Sequence, residues 1–292
     1  MSKLALAIQN RILVSDGAWG TFLQKKGLKA GECPELWNLT HPDDVLEIAQ
    51  SYIDAGADMV ETNSFGGSSF KLANYGLADK VYEINKAAAE ISKKAAGADK
   101  FVLGSVGPTG KILMMEEVTR EELYDAFKDQ CVALEAGGAD AIVIETMSDI
   151  DEACLAVKAA KENTNCDVIC TMTFNKTVTG EFRTMMGVSP TEMVKPLIEA
   201  GASVIGANCG NGIADMIGIV KEIRQTDACI PVLIHANAGM PQYRDGETVF
   251  PETPADMASY VQKIIDAGAN IIGGCCGTTP GHICEIRKIV KK

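Results

Sequence analysis

Short apolar runs alternate with longer amphipathic stretches along the whole chain, and few folds are compatible with this alternation. The apolar runs are typical of buried strands, and the stretches between them carry apolar residues at helical spacing. The predicted strands are residues 11–18, 57–64, 101–106, 141–146, 167–174, 203–208, 231–236 and 270–274. The predicted helices are residues 42–55, 79–96, 120–136, 149–162, 190–199, 215–224, 254–266 and 281–290. The sequence therefore predicts eight successive units of a strand and a helix.

A short internal repeat supports this count. Each copy ends a predicted helix and begins a predicted strand, and the four copies are Ala55-Gly-Ala-Asp58, Gly137-Gly-Ala-Asp140, Ala200-Gly-Ala-Ser203 and Ala267-Gly-Ala-Asn270. Glycine at this position suits a helix C-cap with a left-handed backbone. The small residues beside it allow close packing beneath the strands.

Strands that are apolar throughout are covered on both faces, as in a parallel sheet. Eight of them, each followed by a helix, predict an α/β fold, a single (β/α)8 TIM barrel over residues 1–292. An open doubly wound sheet is the alternative. That fold normally has a Gly-x-Gly-x-x-Gly turn after its first strand, whereas this chain has Asp16-Gly-Ala-Trp-Gly-Thr21 there.

Two of the predicted strands end in cysteines. Strand six leads into Asn208 and Cys209, and strand eight leads through two glycines into Cys275 and Cys276. The C-terminal ends of barrel strands meet on one face, and a single strand separates these two, so the three thiols can share an ion. A catalytic zinc site typically takes three protein ligands and leaves the fourth position for water or substrate. We therefore predict that Cys209, Cys275 and Cys276 are both metal ligands and catalytic residues.

Three thiolate ligands favour alkyl transfer to a thiol over hydrolysis. A free thiol has a pKa of roughly 8.5 and is mostly protonated at neutral pH, whereas zinc deprotonates a coordinated thiol. Three cysteinates exceed the charge of Zn2+ by one unit, so a fourth sulfur stays electron-rich and can attack an alkylating carbon. Zinc hydrolases more often use neutral histidine ligands, and this chain has 3 histidines and no His-Glu-x-x-His helix.

Charge and hydropathy exclude several classes of partner. The net charge of -12 at pH 7 disfavours binding to nucleic acid or to an anionic membrane surface. The chain has no apolar run long enough to cross a bilayer, and its N-terminus does not have the pattern of a signal peptide. The 10 cysteines lack the dense spacing of a disulfide framework. We expect a cytoplasmic protein without nucleic-acid or membrane partners, in which most cysteines are reduced and serve as small buried side chains.

Motifs along nearly the whole chain resemble the homocysteine S-methyltransferase family. They are Asp16-Gly-Ala-Trp-Gly-Thr21, Glu61-Thr-Asn-Ser-Phe-Gly-Gly67, Gly104-Ser-Val-Gly-Pro-Thr-Gly110, Glu145-Thr-Met-Ser-Asp149, Gly206-Ala-Asn-Cys-Gly210, Asn237-Ala-Gly239 and Gly273-Gly-Cys-Cys-Gly-Thr-Thr-Pro280. The resemblance is closest to the N-terminal homocysteine-binding barrel of cobalamin-dependent methionine synthase. It implies a zinc ion on Cys209, Cys275 and Cys276 that activates homocysteine as a thiolate, which the enzyme methylates to methionine.

The resemblance also implies a set of substrate-binding residues. Those that would hold the amino-acid end of homocysteine are Asp16, Gly17, Ala18, Glu145 and Thr146. Asn63 and Ser64 join them as candidates, because they end the predicted strand two on the same face of the barrel. Asn237 resembles a position that can approach zinc when substrate is absent. The structural alternatives are that Asp16 and Glu145 cap the helices after them and that Asn237 satisfies loop backbone.

The methyl donor is left open by the resemblance. Full-length methionine synthase carries folate, corrinoid and reactivation modules after this barrel, whereas this sequence stops just beyond the eighth helix and lacks the Asp-x-His-x-x-Gly corrinoid-ligand motif. Methylcobalamin or another corrinoid is therefore expected on a separate partner protein, unless the sequence is a fragment.

Other donors and another functional class are alternatives. The same scaffold could use S-methylmethionine or a betaine, or pass the methyl group of a substrate to a corrinoid protein. Betaine-dependent relatives hold the donor in an aromatic cage; this chain lacks a tyrosine beside Phe65, although Trp19 and Trp37 could build a cage. A non-catalytic subunit that binds homocysteine or zinc within a methylating assembly is the alternative from a different class.

Overall fold

Eight parallel strands form one sheet in the computed structural model, which describes residues 2–244 and 247–291. They are β1 (Leu13–Val14), β2 (Met59–Glu61), β3 (Phe101–Val106), β4 (Ala141–Met147), β5 (Asp167–Met172), β6 (Val204–Gly212), β7 (Val232–Asn237) and β8 (Ile271–Gly274). Their order in the sheet is β1-β8-β7-β6-β5-β4-β3-β2. From β2 to β8 each strand therefore neighbours the next, and the first strand pairs with the last, which confirms the predicted (β/α)8 barrel and excludes the open sheet.

One principal helix follows each strand. These helices are α1 (Pro42–Asp54), α2 (Val81–Ala96), α3 (Arg120–Ala136), α4 (Ile150–Asn163), α5 (Pro190–Ala200), α6 (Ile213–Thr226), α7 (Pro254–Ala267) and α8 (Pro280–Val290). Proline begins α1, α5, α7 and α8, where its missing N–H is no loss. Capping boxes begin α3, α5 and α7, so side chains satisfy backbone N–H groups that the helix leaves free.

The internal repeat has one structural role in all four copies. Its glycines, Gly56, Gly138, Gly201 and Gly268, have φ values of 100°, 100°, 114° and 112°, as the predicted left-handed C-cap requires. The last residue of each copy then joins the coming strand to the one before it. Backbone N–H groups of Asp58, Asp140, Ser203 and Asn270 donate to the carbonyls of Val14, Val102, Val168 and Val232 over 2.7–2.9 Å. The repeat thus binds β2 to β1, β4 to β3, β6 to β5 and β8 to β7.

Asp58 closes the barrel between β1 and β2. Its Oδ2 accepts from the backbone N–H of Val14 at 3.0 Å, and it forms ion pairs with Arg11 at 2.8 Å and Arg287 at 2.7 Å. The Asp58 side chain is only 2% exposed. A carboxylate buried at this depth is stable because two guanidinium groups and a backbone donor surround it.

The lower half of the barrel interior is apolar. Inward-facing side chains from the strands pack with Leu4 and Ile8, which come from a helix at the N-terminus (Lys3–Asn10). The sequence analysis did not predict this helix, although Ser2 accepts from the N–H of Ala5 as its N-cap. The helix covers the N-terminal end of the barrel. A second, larger apolar layer lies between the strands and α1–α8.

The interior becomes polar toward the C-terminal ends of the strands. Inward-facing positions recur every second residue along a strand, so the next inward-facing residues beyond the apolar ones form the layer above them. Its buried members are Ser15, Glu61, Ser105, Glu145, Thr171, Asn208 and His235. The C-terminal end of the barrel therefore contains titratable and hydrogen-bonding groups where barrel enzymes build their active sites.

Two predicted strands are much shorter in the structure. Strand one was predicted over 11–18 but covers only Leu13–Val14, and strand two was predicted over 57–64 but covers only Met59–Glu61. Beyond these bounds, a few backbone hydrogen bonds continue, such as that from the N–H of Ser15 to the carbonyl of Ile272, and side chains add others. The N–H of Glu61 donates to Asp16 Oδ2 at 2.8 Å, and the N–H of Ser105 donates to Thr62 Oγ1 at 2.9 Å.

Several short elements in the loops after the strands were not predicted. The loop after β1 contains short helical segments at Gly20–Lys25, Pro34–Leu36 and Trp37–Thr40. Antiparallel strand pairs follow β5 (Asn175–Lys176 with Phe182–Arg183) and β7 (Gln242–Arg244 with Glu247–Val249). Within the described residues, no helix has the length and apolar content to cross a membrane.

Candidate metal centre and substrate site

The three predicted metal ligands lie together at the C-terminal end of the barrel. Cys209 Sγ is 3.9 Å from Cys276 Sγ, and Cys275 Sγ is 4.0 Å from Cys276 Sγ. All three sulfur atoms lie within 4.8 Å of one another, and all three side chains are half-buried. Cys209 comes from the end of β6, and the other two directly follow β8.

These separations fit a tetrahedral zinc ion. With Zn–S bonds of about 2.3 Å, tetrahedral geometry separates two coordinated sulfurs by about 3.8 Å. The observed 3.9 and 4.0 Å are close to that value. Three thiolates form a soft donor set of the kind that zinc accepts, and no fourth cysteine joins them among the described residues. The site can therefore hold zinc with one position left for another ligand.

The backbone around the thiols is strained or tightly packed. Cys209 has a φ of 58°, in the left-handed region that few non-glycine residues adopt. After β8, a Cβ at Gly274 would lie 2.3 Å from Thr278 Oγ1, so only glycine fits there. The N–H of Cys275 donates to the carbonyl of Ala236 at 2.7 Å, which fixes the cysteine loop to β7.

Hydrogen bonds among the thiols distribute their protons unequally. Those from Cys275 and then Cys276 lower the pKa of Cys209 well below its usual range. The hydrogen bonds with Cys209 raise the pKa of Cys275 and of Cys276. Cys209 therefore loses its proton first, and a bound divalent cation would deprotonate the other two thiols as well.

Asn237, the predicted fourth contact, lies beside this trio. Its side chain forms a hydrogen bond that also lowers the pKa of Cys209. Asn237 is 4% exposed, and its Oδ1 has no hydrogen-bond partner among the described residues. A buried oxygen without a partner is costly unless a ligand satisfies it. That Asn237 contacts a metal stays a prediction.

Buried carboxyl groups lie next to the thiols. Burial raises the pKa of Asp16, Glu61 and Glu145, and the proximity of Asp16 raises that of Glu61 further. Burial lowers the pKa of His235, whose Nδ1 is 3.3 Å from Glu61 Oε1. Three acidic groups thus share the barrel interior with one histidine, and a cationic ligand would favour their ionised forms.

Glu145 and Thr146 belong to one hydrogen-bonded network with Asn208 of β6. Ser105 Oγ donates to Glu145 Oε1 at 2.5 Å, and Asn208 Nδ2 donates to Glu145 Oε2 at 3.2 Å. The backbone N–H of Thr146 donates to Asn208 Oδ1 at 2.7 Å. Glu145 is therefore held by neutral donors, and no cationic side chain of the described residues bonds to it.

Asp16, Gly17 and Ala18 lie against the loop that follows β8. Asp16 is fully buried, and its Oδ2 accepts from Trp19 Nε1 at 2.9 Å as well as from Glu61. A Cβ at Gly17 would lie 2.5 Å from Thr278 Oγ1, and the N–H of Ala18 donates to that oxygen at 3.1 Å. These three residues therefore stand next to the cysteine loop, and Asp16 also has a structural role.

Asn63 and Ser64 have structural partners of their own. Asn63 Nδ2 donates to the carbonyl of Pro34 at 2.8 Å and to Asn38 Oδ1 at 3.1 Å. Ser64 is fully buried and donates to the carbonyl of Ser105 at 2.7 Å. These bonds fix the loop after β2, and substrate contact by Asn63 and Ser64 stays a prediction.

The remaining cysteines show no comparable arrangement. All ten cysteines are free thiols, and burial raises the pKa of Cys33 and Cys154 to about 11 and that of Cys166 to about 12. Thiols with such pKa values are poor nucleophiles at neutral pH. The sequence analysis gave the cysteines outside the trio no chemistry, and the structure gives no reason to change that.

Comparison with known proteins identifies the family of this chain. A family model described as homocysteine S-methyltransferase matches residues 13–290. The chain belongs to the homocysteine S-methyltransferase family. That membership confirms the resemblance on which the sequence analysis rested.

Curated relatives within the homocysteine S-methyltransferase family are longer than this chain. The methionine synthase of Mycobacterium tuberculosis is 32% identical over 301 residues, which cover 97% of this chain and 25% of that protein. The methionine synthase of Mycobacterium leprae is 31% identical over 309 residues, covering 100% and 25%. The chain therefore spans about a quarter of the length of the curated relatives it matches.

Solved structures share the barrel. The metallated form of the homocysteine methyltransferase MmuM from Escherichia coli has a TM-score of 0.79 and 22% identity, with 98% of each chain covered. A methyltransferase from Methanosarcina mazei has a TM-score of 0.64 and 11% identity, with 99% of this chain and 97% of that chain covered. At these identities the likeness shows the fold alone.

The sequence analysis assigned no catalytic or binding role to Glu61, Asn208 and His235, although all three occupy the polar interior layer. Each is buried and belongs to the cluster around Asp16 and Glu145. The sequence did contain a signal for these residues. Every second residue of a strand faces the interior, and the three residues occupy the inward-facing positions that follow the apolar ones.

Proposed function

We propose that this chain is a zinc-dependent homocysteine S-methyltransferase that forms methionine. The observation that carries this proposal is the convergence of Cys209, Cys275 and Cys276, with two sulfur separations of 3.9 and 4.0 Å. Zinc held by these residues would lower the pKa of the substrate thiol and keep the thiolate available as a nucleophile. Family membership supports the same reaction.

The buried carboxyl groups suit the amino-acid end of homocysteine. Glu145 and Asp16 lie in a low-dielectric interior with no Lys or Arg of the described residues bonded to them, so a substrate ammonium group would favour their ionised forms and pair with them. Gly17, Ala18 and Thr146 would line the same end of the substrate. Asn63 and Ser64 would act from the loop after β2, and Asn237 would contact the metal until the substrate thiolate replaces it.

A methylcorrinoid protein is the donor that we propose. During transfer the S–CH3 bond forms while the bond between the methyl group and the donor breaks, and its electron pair stays with the donor. Loops that follow the strands carry exposed apolar side chains, Phe65, Ile112, Met114, Met115, Val178, Met185, Met186, Met240 and Tyr243. Such a rim, rich in adaptable methionines, suits a macromolecular donor better than a small ion.

Small donors form the second candidate. S-methylmethionine or a betaine would need no partner protein, and a substrate methyl group could also pass in the opposite direction to a corrinoid. A cage built from both tryptophans lacks support: Trp37 is 7% exposed and stacks on His41 with ring centroids 4.3 Å apart, while the Trp19 ring nitrogen is bonded to Asp16. Binding without turnover would instead fit a non-catalytic subunit.

Turnover assays with purified donors test the proposal. Reduced, zinc-loaded protein is incubated with homocysteine and either a methylated corrinoid protein, S-methylmethionine or betaine, and methionine is quantified. We expect methionine only with the corrinoid protein. Formation with a small donor alone would reject the corrinoid assignment, and tight homocysteine binding with no turnover under any condition would reject the enzyme.

Metal analysis of cysteine variants provides the companion test. We expect about one zinc per reduced chain, and loss of most of it in Cys209→Ser, Cys275→Ser and Cys276→Ser. Cys284→Ser is the matched control, since this half-buried thiol lies outside the trio and should leave the zinc content unchanged.

A further inference from the structure

We propose that Asn208 is a positioning residue that sets the distance between the amino-acid end and the thiol of the substrate, and thereby selects homocysteine over cysteine. The inference rests on the proposed function and deepens it. Asn208 lies between the candidate amine site at Glu145 and Thr146 and the metal ligand Cys209, to which it is directly joined in sequence. It is fully buried, and in this proposal it contacts neither the metal nor the substrate.

The amide group of Asn208 uses its full hydrogen-bonding capacity. Its Oδ1 accepts from the backbone N–H of Thr146 and from Thr171 Oγ1, both at 2.7 Å. Its Nδ2 donates to Thr146 Oγ1 at 2.7 Å and to Glu145 Oε2 at 3.2 Å. A buried amide with two acceptor and two donor bonds has one orientation available, so it acts as a rigid connection.

The connection joins the two most unusual backbone positions of the site. Thr146 and Cys209 have φ values of 62° and 58°, and Glu116 is the only other non-glycine residue with positive φ in the described chain. For a β-branched threonine this conformation is unfavourable and persists only when neighbours enforce it. Asn208 binds both the N–H and the hydroxyl of Thr146, and its own backbone leads directly into Cys209. The same residue therefore supports both strained positions.

Irregularities in the sheet mark the same two places. The register between β4 and β5 shifts between Ile144 and Met147, and the register between β6 and β7 shifts between Asn208 and Gly212. Such bulges re-aim side chains at the ends of strands. β5 lies between the two bulged strands, and its Thr171 hydroxyl bonds to Asn208. One side chain thus links the ends of β4, β5 and β6.

When the distance between the sites that bind the two ends of a substrate is fixed, only a substrate of matching length can occupy both. Homocysteine and cysteine carry the same amino-acid group and the same thiol, and differ by one methylene between them. Pockets discriminate such homologues by roughly 10–200-fold when their geometry is fixed. If Asn208 fixes the span, a variant that loosens it should lose affinity for homocysteine and lose the preference over cysteine, while thiols without an amino-acid end are little affected.

Binding calorimetry and zinc analysis of variants test this inference. For zinc-loaded wild type, Asn208→Ser and Thr171→Val, we would measure dissociation constants for homocysteine, cysteine and 1-propanethiol. Asn208→Ser should weaken homocysteine binding about 10–100-fold while changing that of cysteine and 1-propanethiol less than about 3-fold, at unchanged zinc content. Thr171→Val removes only one hydroxyl and should act in the same direction by about 3–10-fold.

The control is Asn85→Ser, at another fully buried asparagine whose amide is bonded within α2 and to Gly67 and Gln130, and not to Glu145, Thr146 or Thr171. It should lower the melting temperature without changing the ratio of the two affinities. Equal losses for all three thiols, or a loss that follows zinc release, would overturn the inference. Should Asn208→Ser fail to fold, the ratio in Thr171→Val decides. Because binding is measured apart from turnover, a wild type that binds selectively but never forms methionine would reject the proposed function and leave the inference standing.

Discussion

Glu145 illustrates how a single buried residue acquires chemistry from its surroundings. Its carboxyl group is held by Ser105 and Asn208, both neutral donors, in an interior that also contains Glu61 and Asp16. Burial first, and then the proximity of Glu61, raise its pKa well above the usual range. An ammonium group from the substrate would supply the missing positive charge. This residue therefore offers a direct test of the substrate site.

Glu145→Gln should weaken homocysteine binding about 10–100-fold, because a hydrogen bond to a charged group is replaced by a neutral one. Only the ionised carboxylate pairs with an ammonium group, so wild-type affinity should fall as the pH falls through the raised pKa of Glu145. The variant should lack this component. Affinity for 1-propanethiol, measured in parallel, accounts for thiol ionisation, since that ligand has no ammonium group.

Glu152→Gln is the matched control for this prediction. Glu152 lies in the first turn of α4, and its carboxyl group is also buried with a raised pKa. It accepts a hydrogen bond from the backbone N–H of Thr109. Its replacement should leave homocysteine affinity within about 2-fold, since it does not contact the proposed site. Similar losses in both variants would mean that general loosening of the barrel, and not the pairing at Glu145, explains the effect.

The roles of individual residues were predictable where the type of residue, in its sequence pattern, has few possible roles. Adjacent cysteines after an apolar strand, with a third after another, indicated the trio that the structure brings together. Asn63 and Ser64 were less predictable, because polar residues after a strand can bind either substrate or loop backbone, and here they bond to Pro34 and Ser105. The role proposed for Asn208 depends on partners from two other strands, which no local pattern reveals.

At the scale of the elements, the repeat before every second strand organises the fold. Its four glycines adopt the left-handed conformation, and the residue two positions later joins consecutive strands. Gly201 is a clear case, since its φ is 114° and an added Cβ would lie 2.9 Å from the Lys161 side chain.

Gly201→Ala should lower the free energy of unfolding by about 1–2 kcal/mol, because alanine is strained at this φ and must also displace Lys161. Urea titration monitored by circular dichroism measures the change. Gly20→Ala is the control: an added Cβ there meets no atom within 4 Å and the φ is ordinary, so stability should stay within about 0.5 kcal/mol of the wild type. An equally stable Gly201→Ala would contradict the C-cap interpretation.

Elements were predicted best where they are long and internally regular. The bounds of β3 (Phe101–Val106) and α3 (Arg120–Ala136) match the prediction at both ends, since an apolar run and a capping box define them locally. The N-terminal helix Lys3–Asn10 was missed because its apolar face is short. That face is explained only by the folded structure, in which it packs against the N-terminal end of the barrel. Short segments such as Gln242–Arg244 depend on pairing with a partner strand, which the sequence does not show directly.

At the scale of the whole molecule, closure of the barrel depends on Asp58. Hydrogen bonds to the Arg11 side chain and to the backbone of Val14, together with the charge of Arg287, lower its pKa despite burial. The folded state therefore favours the ionised form. This contribution to stability is complete above the usual pKa of 3.8 and is lost as the pH falls through the lower value of the folded protein.

Asp58→Asn should destabilise the protein by about 2–4 kcal/mol at pH 7, since Arg287 loses its buried partner while Arg11 is still partly hydrated. Below pH 3.8 the difference from the wild type should shrink, because the wild type loses its own carboxylate charge. Urea unfolding of both proteins at pH 7 and below pH 3.8 measures this difference in stability. Asp54→Asn, at a helix end, is the control; a pH-independent difference for Asp58→Asn would contradict the assigned ionisation.

Barrel, thiols and acidic interior together support one central claim, that three cysteines hold a zinc ion whose fourth position accepts homocysteine. X-ray absorption at the zinc edge, recorded on reduced zinc-loaded protein with and without homocysteine, tests it most directly. We predict three sulfur ligands at about 2.3 Å and one lighter ligand without substrate, and four sulfur ligands with it. Fewer than three sulfurs, or a coordination shell that homocysteine leaves unchanged, would contradict the claim.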